Sequence, residues 1–401
     1  MSKKQLSLLL YSITDMARKR YLIVAMDLGE SAPGTVFKTL AKSMYKYADI
    51  DILSPTFDDT YSLEGIRKIK LKDYIPLSWQ ETKDIWNQRK YNPHNQAWVL
   101  RNLYRTIRST SGRKYDGVIT FTSMNFFPSI SLGRIISQIL RLPWSIYSVD
   151  GIPSPVEWLE GDNTIHRLLS DHINRSCRKA DFIFSSNEYM MRYQQRICVD
   201  FKGKWNYLYT PHKQNRNYCK SEHKDYHFLY TGALYGLRRI EGLIAGFRLL
   251  LQIHPGSKMI FVGNADQAFF QSATDLIQSE NIILKPFCKD LTPYFQDADV
   301  LVDIGADIPD DVFLSSKIIS YLPIDRPILA LTGANSPARG IMKGCHSIVH
   351  CSNQEEDVFQ AMQDCIAAIG KGIADRNELL IEFDADTIAR KLYDIISDTT
   401  H

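Results

Sequence analysis

The clearest chemical signal in the sequence is a pair of cation-bearing segments, each placed where a strand gives way to a helix. Tyr230-Thr231-Gly232-Ala233-Leu234-Tyr235-Gly236-Leu237-Arg238-Arg239 leaves an apolar run, turns on two glycines and brings two arginines to a predicted helix start. Backbone N–H groups at such a turn bind anions, and a guanidinium adds bidentate recognition of phosphate oxygens. A solvated surface turn has the same composition, so the segment alone does not separate the two. Further on, Asp310 to Leu322 places Ser315 and Ser316 before a helix as capping residues, with Lys317 in its first turn. The helix dipole disfavours a cation there. A bound anion removes the conflict. An outward-snorkelling lysine tolerates it at roughly a few tenths of a kcal/mol.

Two carboxylates join these cations as candidates. Asp150-Gly151 follows the apolar run Trp144 to Val149, where a carboxylate can orient or deprotonate a hydroxyl; a turn-forming Asp-Gly pair reads equally well. The loop Asp27-Leu28-Gly29-Glu30-Ser31-Ala32-Pro33-Gly34 follows the first predicted strand. His212, His223 and His227 lack the spacing of metal ligands, and no Asp-x-Asp pair is placed to hold a metal across phosphates.

Composition bounds what these residues can be doing. The chain has 401 residues, enough for two domains, with 44% hydrophobic, 11% aromatic and 23% charged residues. That is ordinary globular material and excludes disordered, collagenous and disulfide-scaffold classes. Forty-eight basic residues against 45 acidic ones give +3, too balanced for a protein whose partner is nucleic acid. Seven scattered cysteines without a Cys-x-x-Cys suit a reducing compartment. No apolar run reaches the ~20 residues of a spanning helix. Residues 5–13 resemble the apolar part of a signal peptide but precede Asp15 and the basic run Arg18 to Arg20, with no small-residue cleavage site. The reading is an uncleaved cytoplasmic protein.

The elements that must position the candidates alternate strand and helix. In the first half the pattern predicts strands over 21–26, 50–53, 117–121, 144–149 and 182–185, with helices near 35–47, 129–141 and 164–179. A polar stretch, 202–224, interrupts it. The second half predicts strands over 227–230, 258–262, 282–284, 300–304 and 327–331, and helices near 239–254, 267–280, 291–296, 316–322, 354–369 and 385–397. Two α/β halves facing across a cleft follow, with ligands beyond the carboxyl ends of the strands. Arg101 to Arg141 holds seven basic residues against Asp116 alone, interleaved with Trp98, Phe126, Phe127, Ile139 and Trp144. Such a run suits anionic lipid or an acceptor's pyrophosphate, although helical spacing also places many of these aliphatics in a core.

In order and spacing, "FLYTGALYGLRRIEGLIAGFRLLL", "MIFVGN", "IILKPFCKDLTPYFQDADVLVDI" and "SSKIISYLPIDRPILAL" resemble the donor-binding half of GT-B glycosyltransferases, most like the retaining GT4 family. The resemblance covers about residues 228–331 and is looser in "DGVITFTS", "PWSIYSVDGIP" and "ADFIFSSNEYM". It implies an α/β fold of two Rossmann-like domains: an acceptor-side domain over 1–205, a linker over 206–224, a nucleotide-sugar-binding domain over 225–382, and a C-terminal helix over 383–401 packing back on the first domain. It implies a metal-independent glycosyltransferase that retains the anomeric configuration. The donor would be a nucleoside-diphosphate sugar of UDP or GDP type, with no further cofactor. The acceptor would be a glycan, lipid-linked, in bacterial cell-envelope polysaccharide synthesis, with peripheral contact at the inner membrane face.

The resemblance also assigns roles. Gly232 stands in the donor-side glycine turn, Arg238 meets the diphosphate and Lys317 is a second phosphate-side cation. Pro286 to Cys288 falls where the base is held, with Phe287 as a stacking surface, and Asp310 to Ser316, including Asp311, Ser315 and Ser316, lies beside the sugar. Gly263, Asn264 and Gly34 complete the donor side, and Asp150 faces the reacting centre. Many family members carry two glutamates seven residues apart; here the second position is Ser320 and the first falls near Asp311 and Val312, while the arginine that often follows the glycine is Ala233. A sugar-nucleotide epimerase of the same architecture, or a catalytically silent partner subunit, are the alternative readings.

Overall fold

The computed structural model describes residues 18–58, 63–73, 93–123, 127–212, 218–219 and 224–398. The apolar run 5–13 and Phe126 lie outside them, as does the side chain of Phe127. Two sheets, parallel throughout, form the two halves. The first has the order β3-β2-β1-β4-β5-β6-β7, with β1 Arg20–Ala25, β2 Asp49–Ser54, β3 Arg67–Lys70, β4 Gly117–Thr122, β5 Trp144–Ser148, β6 Phe182–Ser185 and β7 Lys204–Tyr207. The second has the order β10-β9-β8-β11-β12-β13, with β8 His227–Thr231, β9 Lys258–Val262, β10 Ile282–Lys285, β11 Val300–Ile304, β12 Ile328–Leu331 and β13 Ile348–Cys351.

Central strands such as GVITFT and VLVDI are buried on both faces because helices cover both sides of a parallel sheet. Alternate residues of β1 therefore feed separate cores: Leu22 and Val24 pack with Trp98, Trp144 and Ile173, whereas Tyr21 and Ile23 pack with Phe37, Phe121 and Tyr147. In each sheet the strand order reverses beside the first strand of its half, between β1 and β4 and between β8 and β11. Loops diverge at such a point and leave a crevice.

The polar stretch expected to be linker contains β7, which pairs with β6 as the sheet's edge, so the first sheet runs through Tyr207 rather than stopping at 205. Helix 385–397 lays Ile388, Ala389, Leu392 and Ile396 into the core of the first half, beside Tyr21 and Phe37. Asp384 caps it, Lys46 pairs with Asp386, and Tyr393 stacks on Tyr47 with ring centroids 6.0 Å apart. The chain crosses between halves where Tyr209 stacks on Phe383 at 4.2 Å and the His212 N–H donates to the Phe383 carbonyl at 2.9 Å.

Candidate active site

The carboxyl ends of β8 and β9 touch through backbone. Gly232 donates its N–H to the Val262 carbonyl at 2.8 Å with φ +107°, and Gly263 has φ +143°. Both angles favour glycine, and a Cβ on Gly263 would overlap the Gly232 carbonyl. A Cβ on Gly232 would sit 2.7 Å from Lys317 Cε. The glycine turn thus makes room for the lysine stem. That is the structural reason the two sequence segments belong to one site.

Lys317 opens helix 316–321 with Ser315 as N-cap: the Ser315 hydroxyl accepts the Lys317 N–H at 3.2 Å and donates to Asp303 Oδ1 at 2.6 Å. Asp303 is the penultimate residue of the apolar strand β11 and is 1% exposed. The Lys317 ammonium lies 5.3 Å from the Tyr230 ring centroid and makes no hydrogen bond or ion pair among the described residues. Burial, then the neighbouring Arg238, lowers its pKa to about 8, with Asp303 opposing. Burial raises the Asp303 carboxyl, while Lys317, Ser315 and Arg238 act the other way.

Arg238 is held in place by its surroundings. Its Nε donates to the Ile304 carbonyl at 3.0 Å, one Nη donates to the Tyr235 carbonyl at 3.3 Å, and the guanidinium lies 4.5 Å from the Tyr235 ring and 5.9 Å from that of Trp158. One feature differs from expectation. Arg238 and Arg239 precede the helix, which begins at Glu241, and the Leu243 N–H of its first turn is taken by Asn353 Oδ1 at 3.2 Å. The helix bearing Lys317 is a six-residue turn. Fixed cations at the β8/β11 crevice, rather than helix ends, are what the site offers an anion.

Asp311 is 7% exposed and accepts the Phe313 N–H at 3.1 Å. Burial, reinforced by Asp307 and Asp303, pushes its carboxyl up to about 6. Val312 crosses to the other half: its carbonyl accepts from Asn187 Nδ2 at 3.0 Å, and it packs on Met190 and Tyr193. Asp150 is half-buried and accepts from the Ser123 hydroxyl, while its carbonyl accepts from Ser148 at 2.5 Å. A Cβ on Gly151 would lie 3.7 Å from Val312, so the Asp150 and Asp311 loops meet across the cleft. Beyond them a cavity of about 560 Å³ opens between Tyr189, Arg196, Asp310 and Arg339.

Phe287 presents an open ring face, 65% exposed, and Cys288 beside it donates to the Asp290 carbonyl at 3.1 Å. Lys289 of the same loop pairs with Glu30 at 2.6 Å, which brings the Asp27–Gly34 loop of the first half against the second. Asp27 organises that loop by accepting from Gly29 N–H, Ser31 and Thr56. Gly34 is required because a Cβ there would lie 2.9 Å from the Gly29 carbonyl oxygen. Asn264 is exposed and its carbonyl accepts the Leu234 N–H at 3.0 Å; Ser316 is also exposed. Ser320 donates to the Ser316 carbonyl of its own helix at 2.7 Å. Sequence reasoning missed Asp303, Tyr230 and Trp158. A carboxylate inside an otherwise apolar strand was the available signal for the first; nothing in the local pattern distinguished the two aromatics from core.

No family model matches the sequence, and no curated protein matches it either. Solved structures do resemble the fold. HepE of Anabaena in complex with UDP is 14% identical, with a TM-score of 0.62 over 95% of this chain and 100% of that one. Sucrose-phosphate synthase of Thermosynechococcus elongatus is 14% identical, with a TM-score of 0.65 over 95% and 99%. The lipopolysaccharide outer core galactosyltransferase WaaB is 12% identical, with a TM-score of 0.58 over 94% and 99%. The chain has the GT-B fold. At this identity the likeness extends to architecture alone.

Proposed function

We propose that this chain is a glycosyltransferase that moves a sugar from a UDP-sugar to a hydroxyl of a glycan acceptor. The observation that carries the reading is the pair of cations at the strand reversal of the second sheet, Lys317 against Gly232 with Arg238 near it, the lysine without an anionic partner in contact among the described residues. In the reaction the bond from the anomeric carbon to the β-phosphate oxygen breaks, and a bond to the acceptor oxygen forms. UDP leaves with the electron pair, and the acceptor proton passes to the leaving phosphate with retention of configuration. Charge grows on that phosphate in the transition state, where preorganised cations are worth most. HepE was solved with UDP, which favours uridine over guanosine as the base facing Phe287. Asp150 and Asp311, on loops that meet through Gly151 and Val312, would bracket the sugar and the acceptor hydroxyl.

Incubation with a panel of UDP- and GDP-sugars tests the reading through slow donor hydrolysis. Release of UDP from one donor is the expected result. An intact panel would point to a silent subunit, and interconversion of the sugar without release of UDP would point to an epimerase.

Because side-chain cations supply the charge at the phosphates, transfer is expected to continue in excess EDTA. Loss of activity with EDTA and its rescue by Mn²⁺ would contradict this part of the proposal.

A lipid-linked acceptor of an envelope polysaccharide fits one surface of the first half. On helix 93–110, Leu100, Tyr104 and Ile107 point outward at 67%, 72% and 42% exposure, at helical spacing, with Arg101, Arg105 and Arg108 exposed beside them. None of the described helices is long and apolar enough to cross a membrane. Contact with anionic headgroups through this face, roughly 1 kcal/mol per arginine, is the proposed mode. The protein should co-sediment with phosphatidylglycerol vesicles and much less with phosphatidylcholine. A Leu100→Glu, Tyr104→Glu variant should lose at least about tenfold in partitioning. Equal sedimentation of the variant would remove this face from the proposal.

A further inference from the structure

Asp303 is an anomaly in a site that would hold a diphosphate. It is a carboxylate in the middle sheet layer, 1% exposed, directly behind two cations that an incoming anion must reach. An apolar residue would pack into β11 with less cost, since its neighbours Val300, Leu301, Val302 and Ile304 are all buried. What the carboxylate has instead is a set of partners that converge on it. Ser315 donates to Oδ1 at 2.6 Å, and the same hydroxyl accepts the Lys317 N–H, so one hydrogen-bonded chain ties Asp303 to the residue that presents the ammonium.

The other groups facing Lys317 all leave its charge uncompensated. Arg238, from the loop after β8, repels it, and Tyr230 of β8 offers only a ring face. Tyr321, on its own helix, shares its hydroxyl with Thr231 at 2.8 Å and is kept neutral by burial. Asp311, in the loop after β11, is drawn towards its neutral form by burial and by Asp307 and Asp303.

We propose that Asp303 is the positioning residue of the phosphate site, its buried carboxylate supplying through Ser315 and through space the counter-charge that keeps Lys317 an ammonium ion beside Arg238 before a diphosphate arrives. This rests on the phosphate-site reading given above. Asp303 touches neither donor nor acceptor; it acts through Lys317. A buried counter-charge lets two cations converge in an empty site without either being neutralised by a contact ion pair, which a phosphate would then have to displace. Burial works against both charges, lowering Lys317 to about 8 and raising Asp303, and each is opposed by the other, with Ser315 also favouring the carboxylate, so the two ions depend on one another.

The test has one arm that needs no donor. The pH dependence of Lys317 acylation by a small amine-selective reagent, followed by mass spectrometry of its peptide, gives the lysine's midpoint directly. In Asp303→Asn, which keeps shape and the hydrogen bond to Ser315, the midpoint should fall by about one pH unit or more. Ser315→Ala should move it the same way by less, which keeps the inference testable if the first variant folds poorly. The second arm is UDP affinity by calorimetry across pH. Wild-type affinity should hold to near pH 8 and then decline, whereas Asp303→Asn should decline from near pH 7 and bind at least as tightly as wild type at pH 6. An unmoved midpoint, or a loss of UDP affinity by the same factor at every pH, would overturn the inference and leave Asp303 a structural residue. Failure of the wild type to bind UDP would instead count against the proposed function, with the acylation midpoint still deciding the role of Asp303.

Discussion

Alanine at Arg238 or at Lys317 is expected to cut sugar transfer by about a hundredfold or more, the usual cost of removing one electrostatic donor from a transition state. The two losses should differ in their side effects. Among the described residues Lys317 makes no hydrogen bond or ion pair through its ammonium, and Arg238 repels it, so Lys317→Ala should fold as well as wild type. Arg238 bonds the Ile304 and Tyr235 carbonyls and lies against Trp158, so Arg238→Ala should also lose about 1 kcal/mol of stability. Gly232→Ala belongs to the same series. Its Cβ would meet the lysine stem at 2.7 Å on a backbone with φ +107°, so it should displace Lys317 and mimic its loss. Steady-state kinetics on a working donor, with thermal melts as control, checks all three. Near-full turnover in both cation variants would mean the diphosphate binds elsewhere.

Removal of everything after Glu382 is expected to unfold the first half rather than merely loosen the two halves. Ile388, Leu392 and Ile396 are each at most 4% exposed and belong to the core built on β1 and helix 32–44. At about 1.5–3 kcal/mol for each large aliphatic, their loss totals about 5–9 kcal/mol, comparable with the ~5–15 kcal/mol stability of a whole domain. Leu392→Ala alone should cost about 2–5 kcal/mol. The second half loses Phe383, fully buried in one of its cores, but keeps the rest, packed on Phe228, Phe247 and Val302 and on Leu301 and Tyr321, so its own transition should persist at a lower temperature. Scanning calorimetry would show one transition lost or strongly lowered and one retained. A truncated protein with both transitions in place would show that this helix is dispensable to the first core.

Which parts of this architecture were legible in the sequence follows from burial. Central parallel strands such as Tyr21–Val24, Gly117–Phe121 and Val300–Ile304 read as apolar runs because both faces are covered. The strands that escaped notice, Arg67–Lys70, Lys204–Tyr207 and Ile348–Cys351, are all sheet edges, where half of the strand meets water and charged residues are tolerated. Helix 385–397 was legible because its apolar stripe had a full helical period, and its docking site was a consequence of architecture rather than of any motif.

The site divided in the same way. Glycine turns and cations are visible as residue types, so Gly232, Arg238 and Lys317 could be nominated from spacing. What the sequence could not show is that Gly232 exists partly to clear the lysine stem, since that contact joins residues 85 positions apart. Nor could it show that the first turn of the helix at Glu241 is closed by Asn353, which removes a helix end from the phosphate site. Asp303 reads as an interruption in a strand until Ser315 is seen against it.

A crystal structure of the protein soaked with UDP would show where the diphosphate sits. The account predicts phosphate oxygens within about 2.7–3.2 Å of Lys317 Nζ and the Arg238 guanidinium, over Gly232, with the uracil against Phe287. UDP bound away from the β8/β11 crevice, or a crevice left empty at saturating UDP, would contradict it.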